Sequence, residues 1–232
     1  MIYKTFVPPP PFDLFIENLW YWKGADPGHA KDTIMASGRL AIQINLKRDE
    51  LSWYDGESYA KRNRLGGIAL CGLTTKSFAI DAFQPSNMGV QFKPGGAVAF
   101  FEGPARDFED AHIALDDIWG AEAGRLHQRL VAAPTPDAKI AILFRAMAAR
   151  FTGRTRHPAV ALALARFRRA PHRVSIGATA REAEISQKKL IRLFADEVGT
   201  TPKTYLRVAR FQRVLARIHM APRVDWMEEV HA

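Results

Sequence analysis

Cysteine is almost missing from this chain: Cys71 is the only one in 232 residues, so no intrachain disulfide can form and a reducing compartment such as the cytoplasm is the expected setting. Long apolar runs are missing too. No uninterrupted stretch approaches the roughly 18 residues that a membrane-crossing helix needs, and the N-terminus MIYKTFVPPPPFDLF lacks a basic region followed by an apolar one. Neither a membrane span nor a secretory leader is expected. The apolar run Ala159–Ala165 is closed by Arg166, Arg168 and Arg169 and reads as a core-facing helix.

Spacings that carry catalysis are equally scarce. The seven histidines (His29, His112, His127, His157, His172, His219, His231) show no His-x-His or His-Glu-x-x-His pattern, and a Cys-x-x-Cys pair cannot occur. No serine sits in a nucleophile elbow. Pro94, Gly95 and Gly96 lack the longer glycine spacing and the Lys-Ser/Thr of a phosphate loop, so they read as a turn. Asp116 and Asp117 are adjacent, which suits the start of a helix better than paired acid–base work. Enzyme activity, a metal and a cofactor are therefore not expected, although a catalytic β-barrel is kept as a lesser alternative.

Charge is present in excess, and it is unevenly placed. The formal net charge is +9, yet residues 156–218 hold 14 of the 33 Lys and Arg and only four of the 24 acids. That segment alone carries +10 and leaves −1 for the rest. A basic module beside a neutral one points to a polyanionic partner reached by one domain. With 47% hydrophobic residues the chain can fill one large or two modest cores.

The first half reads as β-rich. Leu40, Ile42, Ile44 and Leu46 alternate with Ala41, Gln43 and Asn45, which predicts a strand over Arg39–Leu46. Gly67–Cys71, Ser77–Phe83 (with Phe78, Ile80 and Ala82 on one side) and Met88–Phe92 repeat the pattern more briefly. Pro8–Pro11 predicts an extended lead-in that lays Phe12, Leu14, Phe15, Leu19, Trp20 and Trp22 onto the domain. Asp116 is expected to cap a helix carrying Trp119, Ala123, Leu126 and Leu130, and Asp137 one carrying Ile140, Leu143, Phe144, Met147 and Phe151. These helices can pack on their own sheet or form a dimer contact; both remain open. The short polar run Thr152–His157 is the expected boundary, dividing a domain over 1–153 from one over 154–232. The fold class that follows is α+β, an N-terminal antiparallel β-sheet or small barrel closed by two helices and followed by an all-α domain.

The second half has the punctuation of two helices joined by a tight turn. Ser175 caps a short helix with Ile176, Thr179, Ala180 and Ala183 inward, Ile185 closes the turn, and Ser186 caps the next. From there Leu190, Leu193, Phe194 and Val198 fall within one arc, while Lys188 and Arg192 point close to the opposite way. An apolar stripe behind a cationic ridge is what a helix needs to enter a major groove. Gly199 stops it, and Thr201 and Pro202 start another helix with Tyr205, Val208, Ala209, Gln212 and Leu215 beside Arg207, Arg210, Arg213 and Arg217.

On these residues the stretch ISQKKLIRLFADEVGTTPKTYLRVARFQRVL resembles the first helix-turn-helix of the AraC/XylS transcriptional regulators. Ser186, Leu190, Arg192, Phe194, Gly199, Pro202, Tyr205, Leu206 and Arg210 match that family's spacing. GVQFKPGGAVAFF and PARDFEDAHIALDDIWG look like the sensor region of one branch. The resemblance implies double-stranded DNA as partner, with Lys188, Ile191 and Arg192 facing bases and Gln187 and Lys189 nearby. In this setting Arg192 suits a guanine edge, Lys188 a second base or a phosphate, and Ile191 a thymine methyl. Ser186, Lys203, Thr204, Arg207 and Arg210 are then expected at phosphates. Against base reading stands a plain Arg192–Asp196 pair along the helix. A small-molecule effector and a homodimer stay open as partners. So does a dimerising interaction protein without effective DNA binding.

Two departures follow. Glu184 occupies the turn where the family usually has glycine, which costs about 1 kcal/mol or forces another turn geometry. The family's second helix-turn-helix is expected after the long helix, but the sequence reaches VDWMEEVHA and ends. Asp225–Val230 resembles the first turns of that unit without its recognition helix, so weak DNA binding that depends on a dimer is expected.

Overall fold

A computed structural model describes residues 1–55 and 58–220, the side chains of 219 and 220 excepted; Asp225–Val230 lies outside the described residues. The strands are β1 (Ile2–Phe6), β2 (Ile16–Lys23), β3 (Lys31–Ile34), β4 (Ala41–Asn45), β5 (Leu51–Asp55), β6 (Lys61–Leu65), β7 (Ile68–Cys71), β8 (Phe78–Asp81), β9 (Ser86–Phe92) and β10 (His112–Ala114). They form a six-stranded sheet in the order β1-β2-β9-β4-β7-β10 and a four-stranded one in the order β3-β8-β5-β6. Every pairing is antiparallel. The protein is thus α+β, with an antiparallel β part first and a helical part after it.

Alternation explains the layering. In β4 Ile42 lies opposite Val90 on one side and Leu70 on the other, so the apolar positions of three neighbouring strands share one face. That face is buried, and it joins Leu126, Leu130, Leu143 and Met147 of the covering helices in one cluster. Those helices are α1 (Leu115–Trp119), α2 (Ala121–Ala132) and α3 (Pro136–Ala149). The opposite face of the large sheet, with Gln43, Gln91 and Cys71, looks toward the smaller sheet across a cavity. The expected antiparallel β part is built as two facing sheets; β3 and β6 come from mostly exposed polar stretches, while β5 (LSWYD) is half-buried.

Several local expectations are corrected. Asp137 is not the cap of α3: Thr135 accepts the Ala138 amide at 3.2 Å, Pro136 takes the first helical position, and Asp137 instead binds Lys4 of β1 at 2.9 Å. Asp116 is not a cap either, because α1 starts at Leu115 after Ala114. The expected helix through Trp119, Ala123, Leu126 and Leu130 is broken at Gly120 into α1 and α2, yet all four side chains are buried. Leu14, expected on the domain, is exposed, and Ala79 rather than Ala82 is the buried position of β8. Pro94–Gly96 is a plain turn in which the Gly96 amide bonds the Lys93 carbonyl at 2.7 Å.

Residues 151–157 run from α3 to α4 (Pro158–Arg169) without regular structure, but they are tied down. The Thr152 amide donates to Ala99 at 2.9 Å and Arg156 Nη2 to the Leu14 carbonyl at 2.7 Å. The remaining helices are α5 (Ile176–Glu182), α6 (Gln187–Val198) and α7 (Pro202–Met220). Ala159, Val160, Ala163 and Phe167 of α4 are buried, as the apolar run required. Phe167, Phe194 and Tyr205 meet with ring centroids 5.4–6.3 Å apart and lock α4, α6 and α7 together.

The α5–α6 turn takes the strained option. Glu184 has φ 54°, so a side chain occupies the left-handed region while the Ile185 amide reaches back to the Ala180 carbonyl at 3.1 Å. Glu184→Gly should therefore stabilise the protein by about 1 kcal/mol, measured as a higher urea midpoint. An unchanged or lower midpoint would show that the turn carries no such strain.

Candidate nucleic-acid interface

Sequence places α6 at a protein surface, and two hydrogen-bonded caps set its ends. Ser186 Oγ accepts the Lys189 amide at 3.2 Å, and Gly199 closes the far end at φ 101° with its amide on the Ala195 carbonyl. Leu190, Phe194 and Val198 are fully buried, and Leu193 is half-buried beside them. Ser186, Gln187, Lys188, Lys189 and Arg192 are exposed, and Ile191 is half-buried at the edge of the same ridge.

The two ends of α6 meet different surroundings. Its C-terminal turn is pressed against the segment Pro104–Ala111, which runs between the large sheet and the helical part. Asp196 forms an ion pair with Arg106, Thr200 bonds Glu109, and the Gly199 backbone faces the Ala105 carbonyl. Glu197 accepts the His157 amide through both carboxylate oxygens, at 3.1 and 2.9 Å. Farther along, Gln212 of α7 donates to the Ala36 carbonyl. Its N-terminal half projects free of these contacts.

Asp196 is engaged by Arg106, and the alternative pairing of Arg192 with Asp196 along the helix does not form. Among the described residues the side chains of Lys188, Lys189 and Arg192 have no hydrogen bond or ion pair. Lys203, Arg207 and Arg210 on α7 are likewise exposed and unpaired among the described residues. Thr204 is half-buried, its amide held by Thr201 Oγ1 at 3.2 Å and its hydroxyl accepting from Thr201 at 3.1 Å. The Ser186 hydroxyl is engaged in the cap, which leaves it one lone pair and its proton.

A second feature lay outside what spacing could reveal. Between the two sheets is a cavity of about 190 Å³ walled by Gln43, Cys71, Gln91, Trp53, Phe78 and His112. His112 is stacked edge-on against Trp53 and Phe78, at centroid distances of 4.6 and 4.8 Å, and its buried Nδ1 has no hydrogen-bond partner. Burial holds the His112 pKa below its usual value, so the ring is neutral at physiological pH. Burial pushes the Cys71 thiol up to about 12, which keeps it protonated and unreactive. No local spacing marks these residues, because the strands that carry them meet only in the folded sheets.

The cavity wall and the α6 junction share a backbone. Gly72, at the end of β7, lies so close to the Pro104–Ala111 segment that a β-carbon there would stand 1.5 Å from the Phe108 carbonyl oxygen. The Gly72 amide bonds Ala111 at 2.8 Å, and the Asp110 amide bonds Leu73 at 3.0 Å. Leu73 and Leu40 also touch the place where a β-carbon on Gly199 would sit, both at 3.6 Å.

Comparison with known proteins adds a domain-level match. A family model described as a domain of unknown function, DUF6597, matches residues 4–114. No curated protein matches the chain. Among solved structures, ToxT from Vibrio cholerae bound to an unsaturated fatty acid aligns over 89% of this chain and 82% of its own, at 9% identity and a TM-score of 0.37. Another ToxT structure, at 1.65 Å, aligns over 100% and 88%, at 8% identity and a TM-score of 0.39. PhpD with cadmium and hydroethylphosphonate aligns over 88% of this chain and 46% of its own, at 13% identity and a TM-score of 0.27. Among the described residues no helix is long and apolar enough to cross a membrane.

Glu197 supplies a test of the junction. Its burial raises its pKa above the ordinary 4.5, with the His157 amide opposing that shift. An acid whose folded pKa exceeds its unfolded one binds protons more tightly when folded, so its contribution to stability falls as pH rises from 4.5 through the folded value. Glu197→Gln should flatten that decline in urea titrations run between about pH 4 and pH 7. Identical pH dependence in the two proteins would mean that Glu197 is not buried against α4.

Proposed function

We propose that this chain is a sequence-specific DNA-binding transcriptional regulator, in which residues 1–153 form a sensor and 154–232 a helix-turn-helix reader. One observation carries the reading: the N-terminal half of α6 presents Gln187, Lys188, Lys189 and Arg192 to solvent without partners among the described residues, while its C-terminal half is clamped. A helix held at one end and cationic at the other can be laid into a major groove with little ordering cost. Arg192 reads a guanine edge, Lys188 a neighbouring base or phosphate, and Ile191 a thymine methyl, with Gln187 and Lys189 beside them. Ser186, Lys203, Thr204, Arg207 and Arg210 position the module on phosphates. A second copy of the chain on a neighbouring half-site adds discrimination.

The cavity is the place for a small effector. Its aromatic walls and the unpartnered His112 Nδ1 suit a compact, largely apolar molecule with one polar group. Gly72 and Leu73 stand between that cavity and the Pro104–Ala111 segment, so an occupant that displaces β7 acts directly on the clamp around Asp196 and Gly199.

Sites selected from a random duplex pool, followed by binding titrations on single-base variants, test the reader. Arg192→Ala should lose about 1–3 kcal/mol of discrimination at one base pair and leave the others unchanged. No enrichment of any sequence by the wild-type protein would sink the proposal. A uniform loss across all positions would reassign Arg192 to a phosphate.

A further inference from the structure

Beside the base-reading ridge lies a second basic feature with a different shape. A concavity of about 530 Å³ opens between α5, the start of α6 and the first half of α7, and the preceding turn adds His172. Arg181, Lys203 and Arg210 line it, each exposed, and no acidic residue does. Arg181 Nη1 and Gln187 Oε1 both reach over Gly177, lying 3.8 and 3.0 Å from where a β-carbon would stand.

Arg166 of α4 is neutralised by Glu182, and Arg213 of α7 donates to the Arg168 and Arg169 carbonyls at 2.7 and 3.3 Å. Arg181, Lys203 and Arg210, like Lys188, Lys189, Arg192 and Arg207, have no hydrogen bond or ion pair among the described residues, and these three line one hollow. Three like charges gathered around one hollow repel one another unless an anion sits between them.

Resting on the DNA-binding reading above, we propose that Arg181, Lys203 and Arg210 form a cradle for a backbone phosphate of the duplex, with His172 and Gln187 at its rim. Gln187 is the first residue of α6, so the phosphate held there flanks the bases that α6 reads. The cradle sets register and orientation and carries no sequence preference of its own. The planar forks of two guanidinium groups can donate to the non-bridging oxygens of a phosphate, and Lys203 adds a point charge.

The test measures affinity for a random-sequence duplex by fluorescence anisotropy across about 50–200 mM KCl, using wild type, Arg181→Ala, Arg210→Ala and Arg181→Lys. Each phosphate contact contributes about 0.9 to the slope of log K against log salt, so each alanine variant should lower the slope by about that amount. The loss of affinity over that salt range then shrinks about 3.5-fold per contact removed. Arg181→Lys should restore the slope, and discrimination among selected sites should stay at the wild-type level in all three. Matched melting temperatures establish that the exposed substitutions leave the fold intact. Selective binding by wild type with an unchanged slope in both alanine variants would overturn the cradle and leave the regulator reading standing. No duplex binding by wild type would overturn both. A parallel arm compares inorganic phosphate with chloride at equal ionic strength: stabilisation lost in Arg181→Ala, with an unchanged duplex slope, would assign the hollow to a free anion and overturn the duplex assignment.

Discussion

The C-terminal turn of α6 is where the two halves of the molecule meet, and most of the site's geometry depends on that contact. Gly199 has no side chain, so the Ala105 carbonyl can close on its backbone; Asp196 and Thr200 then reach Arg106 and Glu109 on the same segment. A β-carbon at Gly199 would stand 3.2 Å from that oxygen in a left-handed backbone, and both the helix end and the dock would suffer. With Asp196 engaged, Arg192 has no local acid to hold it. The charge left over at the free end of α6 is thus a consequence of the way its other end is neutralised.

That dock also links a mainly apolar cavity to a cationic helix over a short physical path. The segment Pro104–Ala111 lies between Gly72 on the cavity side and Gly199 on the helix side; any side chain at Gly72 would block the approach, and one at Gly199 would crowd it in a left-handed backbone. Packing of this density transmits displacement rather than absorbing it. In the proposed regulator this path is the route by which an effector between the sheets would alter the reader.

Much of the helical part was legible before folding, and for local reasons. Ser175 and Ser186 are caps because a hydroxyl at that position reaches an amide three residues on, and Leu190, Phe194 and Val198 are buried because their spacing puts them on one arc. β4 and β9 were readable by the same logic with period two. The caps of α1 and α3 were not: Asp137 and Asp116 have the right chemistry, but Thr135 and Pro136 start α3 two residues earlier than a cap at Asp137 would, and α1 already begins at Leu115. β3 and β6 were also hidden, since KDTI and KRNRL hold too few apolar residues to show a period, and β5 (LSWYD) is too short for its alternation to stand out.

Sequence by itself determined the antiparallel β part, the helical part with its excess of positive charge, and the side of α6 that faces out, since period, caps and charge all act within a few residues. Tertiary structure alone decided that Asp196 leaves Arg192 for Arg106, that His112 comes to rest between Trp53 and Phe78, and that Arg181 gathers with Lys203 and Arg210. Each of those contacts joins residues from different elements. Such neighbours are brought together by packing against the common core, which no local pattern records.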